Sequence, residues 1–176
     1  KKEMTVSKIQ SIVYQLIGIF KVIHNNGVIH RDVKPQNIMV KNGELFLIDF
    51  GFSTFYIDGD GEHCQNTCSE CIIGSPKYVS YYIHSGSIAS RRDDLISLGY
   101  LYLFLYNKTL PWENITTDSI LADEYDETSI FHYKNLIRQK QKGSDMILPL
   151  CTNIDSILGN YVKYVYSLEY DQMPNY

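Results

Sequence analysis

From residue 30 the chain reads His30-Arg31-Asp32-Val33-Lys34-Pro35-Gln36-Asn37, and the triplet Asp49-Phe50-Gly51 follows shortly after. The carboxylate at 32 can accept a proton, and Lys34 adds a fixed positive charge close by. Asn37 and Asp49 are hard oxygen ligands of the kind Mg²⁺ takes, an ion that keeps several waters and binds few protein groups. Together they suit phosphoryl transfer. Charge there spreads over the transferring group, so catalysis is mainly positioning and neutralisation.

Such residues need elements to hold them. Apolar residues at Ile9, Ile12, Val13, Leu16, Ile17, Phe20 and Ile23 recur in steps of three and four, predicting an amphipathic helix from Val6 to Asn25 that Asn25-Asn26-Gly27 stops. Two short strands are expected at Asn37–Val40 and Leu45–Ile48, joined across Lys41-Asn42-Gly43-Glu44, because Asn-Gly between apolar runs is a strong hairpin signal. From Ser53 to Ser75 periodicity disappears, which predicts a long irregular loop. Asp94 to Asn107 is apolar almost all round and reads as a buried helix; Thr128–Lys142 and Ile154–Leu168 read as two more with polar outer faces. The expected fold class is mainly α with a small β-ribbon.

On these elements, the first run matches H-R-D-x-x-x-x-N at every fixed position and the triplet matches D-F-G, in order and well separated. The chain therefore resembles the C-terminal lobe of a eukaryotic-type protein kinase. The resemblance implies that Asp32 accepts the substrate hydroxyl proton, Lys34 faces the γ-phosphate, and Asn37 and Asp49 hold Mg²⁺ with ATP. His30 and Arg31 are expected to be structural, and the D-x-K-P spelling is similar to serine/threonine rather than tyrosine kinases. Gly74-Ser75-Pro76-Lys77-Tyr78-Val79-Ser80, Arg91-Arg92-Asp93-Asp94-Leu95-Ile96-Ser97-Leu98-Gly99-Tyr100, Leu110-Pro111-Trp112 and the tail Tyr170–Tyr176 narrow the resemblance to the casein kinase 1 family.

That family implies that Asp94 hydrogen-bonds amides of the catalytic loop. It also implies that Lys77 and Arg91 form an anion site for acidic or prephosphorylated protein substrates bearing Ser or Thr. Trp112 reads as a packing anchor. Pro76 departs from the family and stiffens the substrate-facing segment. The acidic stretch Thr116–Thr128 departs too, which leaves Lys134 or Arg138 to supply a second basic contact. No G-x-G-x-x-G, V-A-I-K lysine or partner glutamate is present in the sequence, so the N-terminal lobe is expected to be absent and the chain alone inactive.

The rival readings are a kinase-like module that only binds, and a small-molecule phosphotransferase. The latter is expected to lack the Arg-Asp-x-Lys-Pro run. A net charge of −4 over 176 residues gives no pull toward nucleic acid or acidic membranes, and the apolar run Leu98–Tyr106 is too short to span a bilayer. No signal peptide is evident, and three of the four cysteines crowd one segment, so an intracellular setting, cytoplasmic or nuclear, is expected. His63, Cys64, Cys68 and Cys71 include zinc-type ligands but are too cramped for a standard site, and Asp58-Gly59-Asp60-Gly61-Glu62 reads as a turn. No oligomeric state is specified.

Overall fold

The computed structural model describes residues 4–69, 71–115 and 126–176. Helix α1, Val6–Asn25, starts where the Thr5 side chain accepts from the Lys8 amide, and its stripe Ile9, Val13, Leu16 and Phe20 is buried. Gly27 at φ 76° ends the turn after it. Strand β1, Val28–Ile29, leads into the catalytic-loop sequence. Next comes the hairpin of β2, Ile38–Lys41, and β3, Glu44–Leu47, in the register Ile38↔Leu47 to Lys41↔Glu44. Its corner is Asn42-Gly43, both at positive φ, which a two-residue turn matching strand twist requires.

The stretch after Ser53 is more ordered than its sequence implied. Thr54–Phe55 form β4, which pairs antiparallel with β1, and isolated bridges join Ile57 to His63 and Cys68 to Ser87. Asp58 Oδ1 accepts from the amides of Asp60 and Glu62, a local turn. Helix α2, Tyr81–His84, is a single turn capped by Ser80.

Helix α3, Arg91–Asn107, runs through the centre, buried on every side from Arg91 to Leu103. A reciprocal cap between Ser90 and Asp93 starts it three residues ahead of the expected position. Helices α4, Glu127–Gln141, α5, Ser144–Ile154, and α6, Ser156–Tyr166, complete the fold. α5 was not expected as an element of its own, since Pro149 lies inside it. It packs closely on α6, where a Cβ on Gly159 would stand 2.7 Å from the Thr152 Cα. Most of 116–128, where the sequence departs from the family, lies outside the described residues; Thr128 falls in α4.

The core joins α1, α3 and α6 through Leu16, Phe20, Leu98, Leu101, Leu158 and Val165, with Trp112 fully buried beside them. α1 is long and apolar enough to cross a bilayer by length and composition alone, but its buried stripe packs on α3. Six helices and two small antiparallel ribbons among the described residues agree with the mainly-α expectation.

Candidate active site

Asp32 sits between β1 and β2 and is almost wholly buried. Its Oδ2 accepts from Lys34 Nζ at 2.5 Å and Asn37 Nδ2 at 3.0 Å, and its Oδ1 from the Ser75 amide at 3.1 Å. Burial raises the carboxyl pKa, but Lys34, Ser75 and Asn37 outweigh it and hold the group below its usual range. Lys34 Nζ also reaches Ser75 Oγ at 3.3 Å. The acid is therefore ionised and aimed by three partners.

Asn37 donates from the same nitrogen to the Asp32 carbonyl at 2.8 Å, which leaves its amide oxygen as the atom able to ligate a cation. Asp49 stands at the end of β3 in the left-handed region at φ 63°, exposed, with Oδ1 3.3 Å from the Gly51 amide. An amide oxygen and an exposed carboxylate fit Mg²⁺, which is content with few protein ligands.

The loop is fastened to its neighbours through both its side chains and its backbone. His30 Nε2 donates to the Ile48 carbonyl at 3.1 Å and its ring meets Phe50 edge-on at 4.9 Å. Arg31, at φ 68°, donates from Nε to the Phe52 carbonyl. Asp94, in the first turn of α3, accepts from the His30 amide at 2.7 Å and the Arg31 amide at 2.8 Å, as expected for a helix-start carboxylate used as scaffold. Gly74, at φ 99°, brings the next segment against this loop: a Cβ there would stand 2.2 Å from the Arg31 carbonyl oxygen.

The segment Pro76–Val79 is gripped differently. Lys142, fully buried, follows α4 and donates to the carbonyls of Pro76 at 2.9 Å and Val79 at 2.7 Å. Its ammonium lies 4.9 Å from the Tyr100 ring centroid and 5.1 Å from that of Trp112. Burial, with Arg138 nearby, pulls its pKa well below the usual lysine range. Trp112 Nε1 donates to the Lys77 carbonyl at 2.7 Å, so the packing anchor is also a backbone donor. His84 Nε2 lies 3.2 Å from both the Pro76 carbonyl and Lys142 Nζ, and burial, then Lys142, pull its pKa down to about 3.

The expected anion pair does not form. Lys77 Nζ is paired with Glu113 at 2.5 Å over the Phe104 ring. Arg91 is 7% exposed and turned inward, with its guanidinium on the Tyr56 ring and hydroxyl, the Met173 sulfur and the Asp171 carbonyl. A helix-start arginine this buried serves the fold. Arg138 is bound to Asn135 Oδ1 at 3.1 Å. His63 packs between Tyr56 and Tyr170, and no group of three or more metal-binding side chains of His, Cys, Asp or Glu occurs among the described residues.

Four contributors escaped sequence reasoning. Ser75 lay inside a quoted motif, but nothing in its spelling shows that it reaches Asp32. Lys142 looks like any helix-end lysine. His24 and Tyr176 meet across 152 positions, beyond any local signal.

A model of the protein kinase domain matches residues 1–157. The chain belongs to the protein kinase family. Within it the chain is similar to a probable casein kinase I homolog of Encephalitozoon cuniculi, 34% identical over 166 residues, covering 92% of this chain and 48% of that protein. Similarity extends to casein kinase I homolog 2 of Schizosaccharomyces pombe, 27% identical over 182 aligned residues, covering 99% of this chain and 39% of the relative. The chain thus spans less than half the length of these curated relatives.

Proposed function

We propose that the chain is the catalytic-loop lobe of a serine/threonine protein kinase that moves the γ-phosphate of ATP to Ser or Thr hydroxyls of proteins. The observation that carries this is the ionised Asp32, clasped by Lys34, Asn37 and Ser75 where the catalytic loop and the following segment meet. Asp32 orients the hydroxyl and takes its proton. Lys34 neutralises charge beside it. Asn37 and Asp49 would hold Mg²⁺, which when bound offsets phosphate charge. Met39, Ile48 and Phe50 expose apolar surface beside these residues, which supports a nucleobase and a covering lobe resting there.

Substrate preference for acidic or primed sequences falls to Lys77 in this reading, since Arg91 is committed inside. The test is nucleotide titration with turnover in the full-length protein. Asp49→Asn should weaken Mg²⁺-dependent ATP binding, whereas Asp32→Asn should abolish transfer and leave ATP affinity nearly intact. Equal loss of affinity in both would overturn these roles. The 176-residue chain alone should transfer no phosphate above an Asp32→Asn control.

A further inference from the structure

Asp94 holds the catalytic loop, and Asp94 is itself held. His24, fully buried near the end of α1, places Nε2 3.0 Å from Asp94 Oδ2 and Nδ1 2.5 Å from the Tyr176 hydroxyl. A carboxylate only accepts, so Nε2 carries a proton; in the neutral ring the lone pair then lies on Nδ1, and the tyrosine O–H donates to it. The two rings are tilted with centroids 5.7 Å apart, so the contact runs through the hydroxyl and not through stacking. Burial pushes the Tyr176 phenol up, which keeps it a donor.

The segment that carries Tyr176 is fastened on both sides of this contact. Arg91 holds the Asp171 carbonyl and the Met173 sulfur, and the Asn175 amide donates to the Tyr164 hydroxyl at 2.5 Å. Tyr56, on which Arg91 stacks, donates to the His24 carbonyl at 2.6 Å. The histidine is thus fixed through its backbone from one direction and through its ring from another.

We propose that Tyr176 is a positioning residue for the catalytic loop: its hydroxyl occupies the Nδ1 lone pair and fixes the ring of His24, whose tautomer Asp94 sets, and His24 completes the coordination of Asp94, which aims the His30 and Arg31 amides and with them Asp32. Its effect on turnover rests on the kinase reading; the hydrogen-bond chain does not.

The experiment is Tyr176→Phe in the full-length protein, which keeps the ring and removes only the hydroxyl. Turnover should fall roughly 3- to 10-fold, the worth of one net hydrogen bond, with KM for ATP unchanged. Combined with His24→Gln, the substitution should add almost nothing to the loss from His24→Gln alone. Nitrogen-15 spectra of wild type should show His24 protonated at Nε2 only, and Tyr176→Phe should move its Nδ1 signal together with the His30 and Arg31 amides. A wild-type ring protonated at Nδ1, unmoved loop amides, or full turnover in Tyr176→Phe would each overturn the proposal. A wild type that transfers no phosphate counts against the kinase reading alone, and the spectra still decide the contact chain. The wild-type tautomer needs no variant, so an unstable Tyr176→Phe does not remove the test.

Discussion

The catalytic loop offers amides to a buried acid, Asp94, whereas the segment Pro76–Val79 offers carbonyls to a buried base, Lys142. Each charge stands at the helix end that favours it: Asp94 in the first turn of α3, Lys142 directly after the last turn of α4. The two anchors differ in how fully they are met. Both Asp94 oxygens have partners, and a histidine stands behind them. No carboxylate pairs with Lys142 among the described residues, and its surroundings oppose its charge. The loop that carries Asp32 is thus held by a satisfied network, and the segment Pro76–Val79 by a buried lysine that relies on carbonyls and ring faces.

The largest effect should come from breaking the first anchor. Asp94→Ala strips acceptors from two loop amides and from His24, and should lower unfolding free energy by about 3–5 kcal/mol in denaturant titrations. Lys142→Met keeps the volume and the ring contacts and orphans two carbonyls, so about 2–3 kcal/mol is expected. If Lys142→Met proves the costlier change, the ranking of the anchors is reversed.

The second anchor should also carry a pH signature. His84 titrates at about 3 when folded against 6.5 ordinarily, so between those values the unfolded chain binds more protons. Stability is then complete above 6.5 and is lost as pH falls toward 3, at about 1.4 kcal/mol per pH unit where the proton difference is complete. His84→Gln should flatten that part of the stability profile. An unchanged slope would show that the cradle around Lys142 admits water.

Lys77 and Arg91 give the smallest and most selective contrast. Arg91→Ala should reduce thermal stability and leave the ratio of kcat/KM for primed and unprimed peptides as it was, because the guanidinium faces inward. Lys77→Ala breaks a half-exposed pair and should cost less than about 1 kcal/mol of stability, while lowering that ratio. A ratio that moves with Arg91 and not with Lys77 would return the anion site to the original expectation.

Legibility in the sequence followed the range of the interaction. α1 and the β2–β3 hairpin could be read because their signals, steps of three and four and an Asn-Gly corner, lie within the element itself. Asp32, Lys34, Asn37 and Asp49 could be named because one loop and one triplet spell them. β1 and β4 could not, since two-residue strands have no period of their own and exist through each other. α5 was obscured by Pro149, which close packing on α6 tolerates. Asp94 was found as a scaffold because its motif is linear, but His24 and Tyr176 behind it come together only when the chain folds. Arg91 was misread for the complementary reason: charge suggests a surface, and only the tail lying across α3 buries it.

Gly74 has a consequence for how such a molecule can vary. With its backbone at φ 99° and no room for even a methyl group against Arg31, position 74 admits a one-letter alphabet. In a library of all single substitutions it should appear as a blank column, alanine included. The gap between the loop that carries Asp32 and the segment that follows Gly74 is therefore closed to gradual adjustment at its narrowest point. Diversification has to proceed around it, through Ser75 to Val79 and the side chains that grip them, with the junction passed on unaltered.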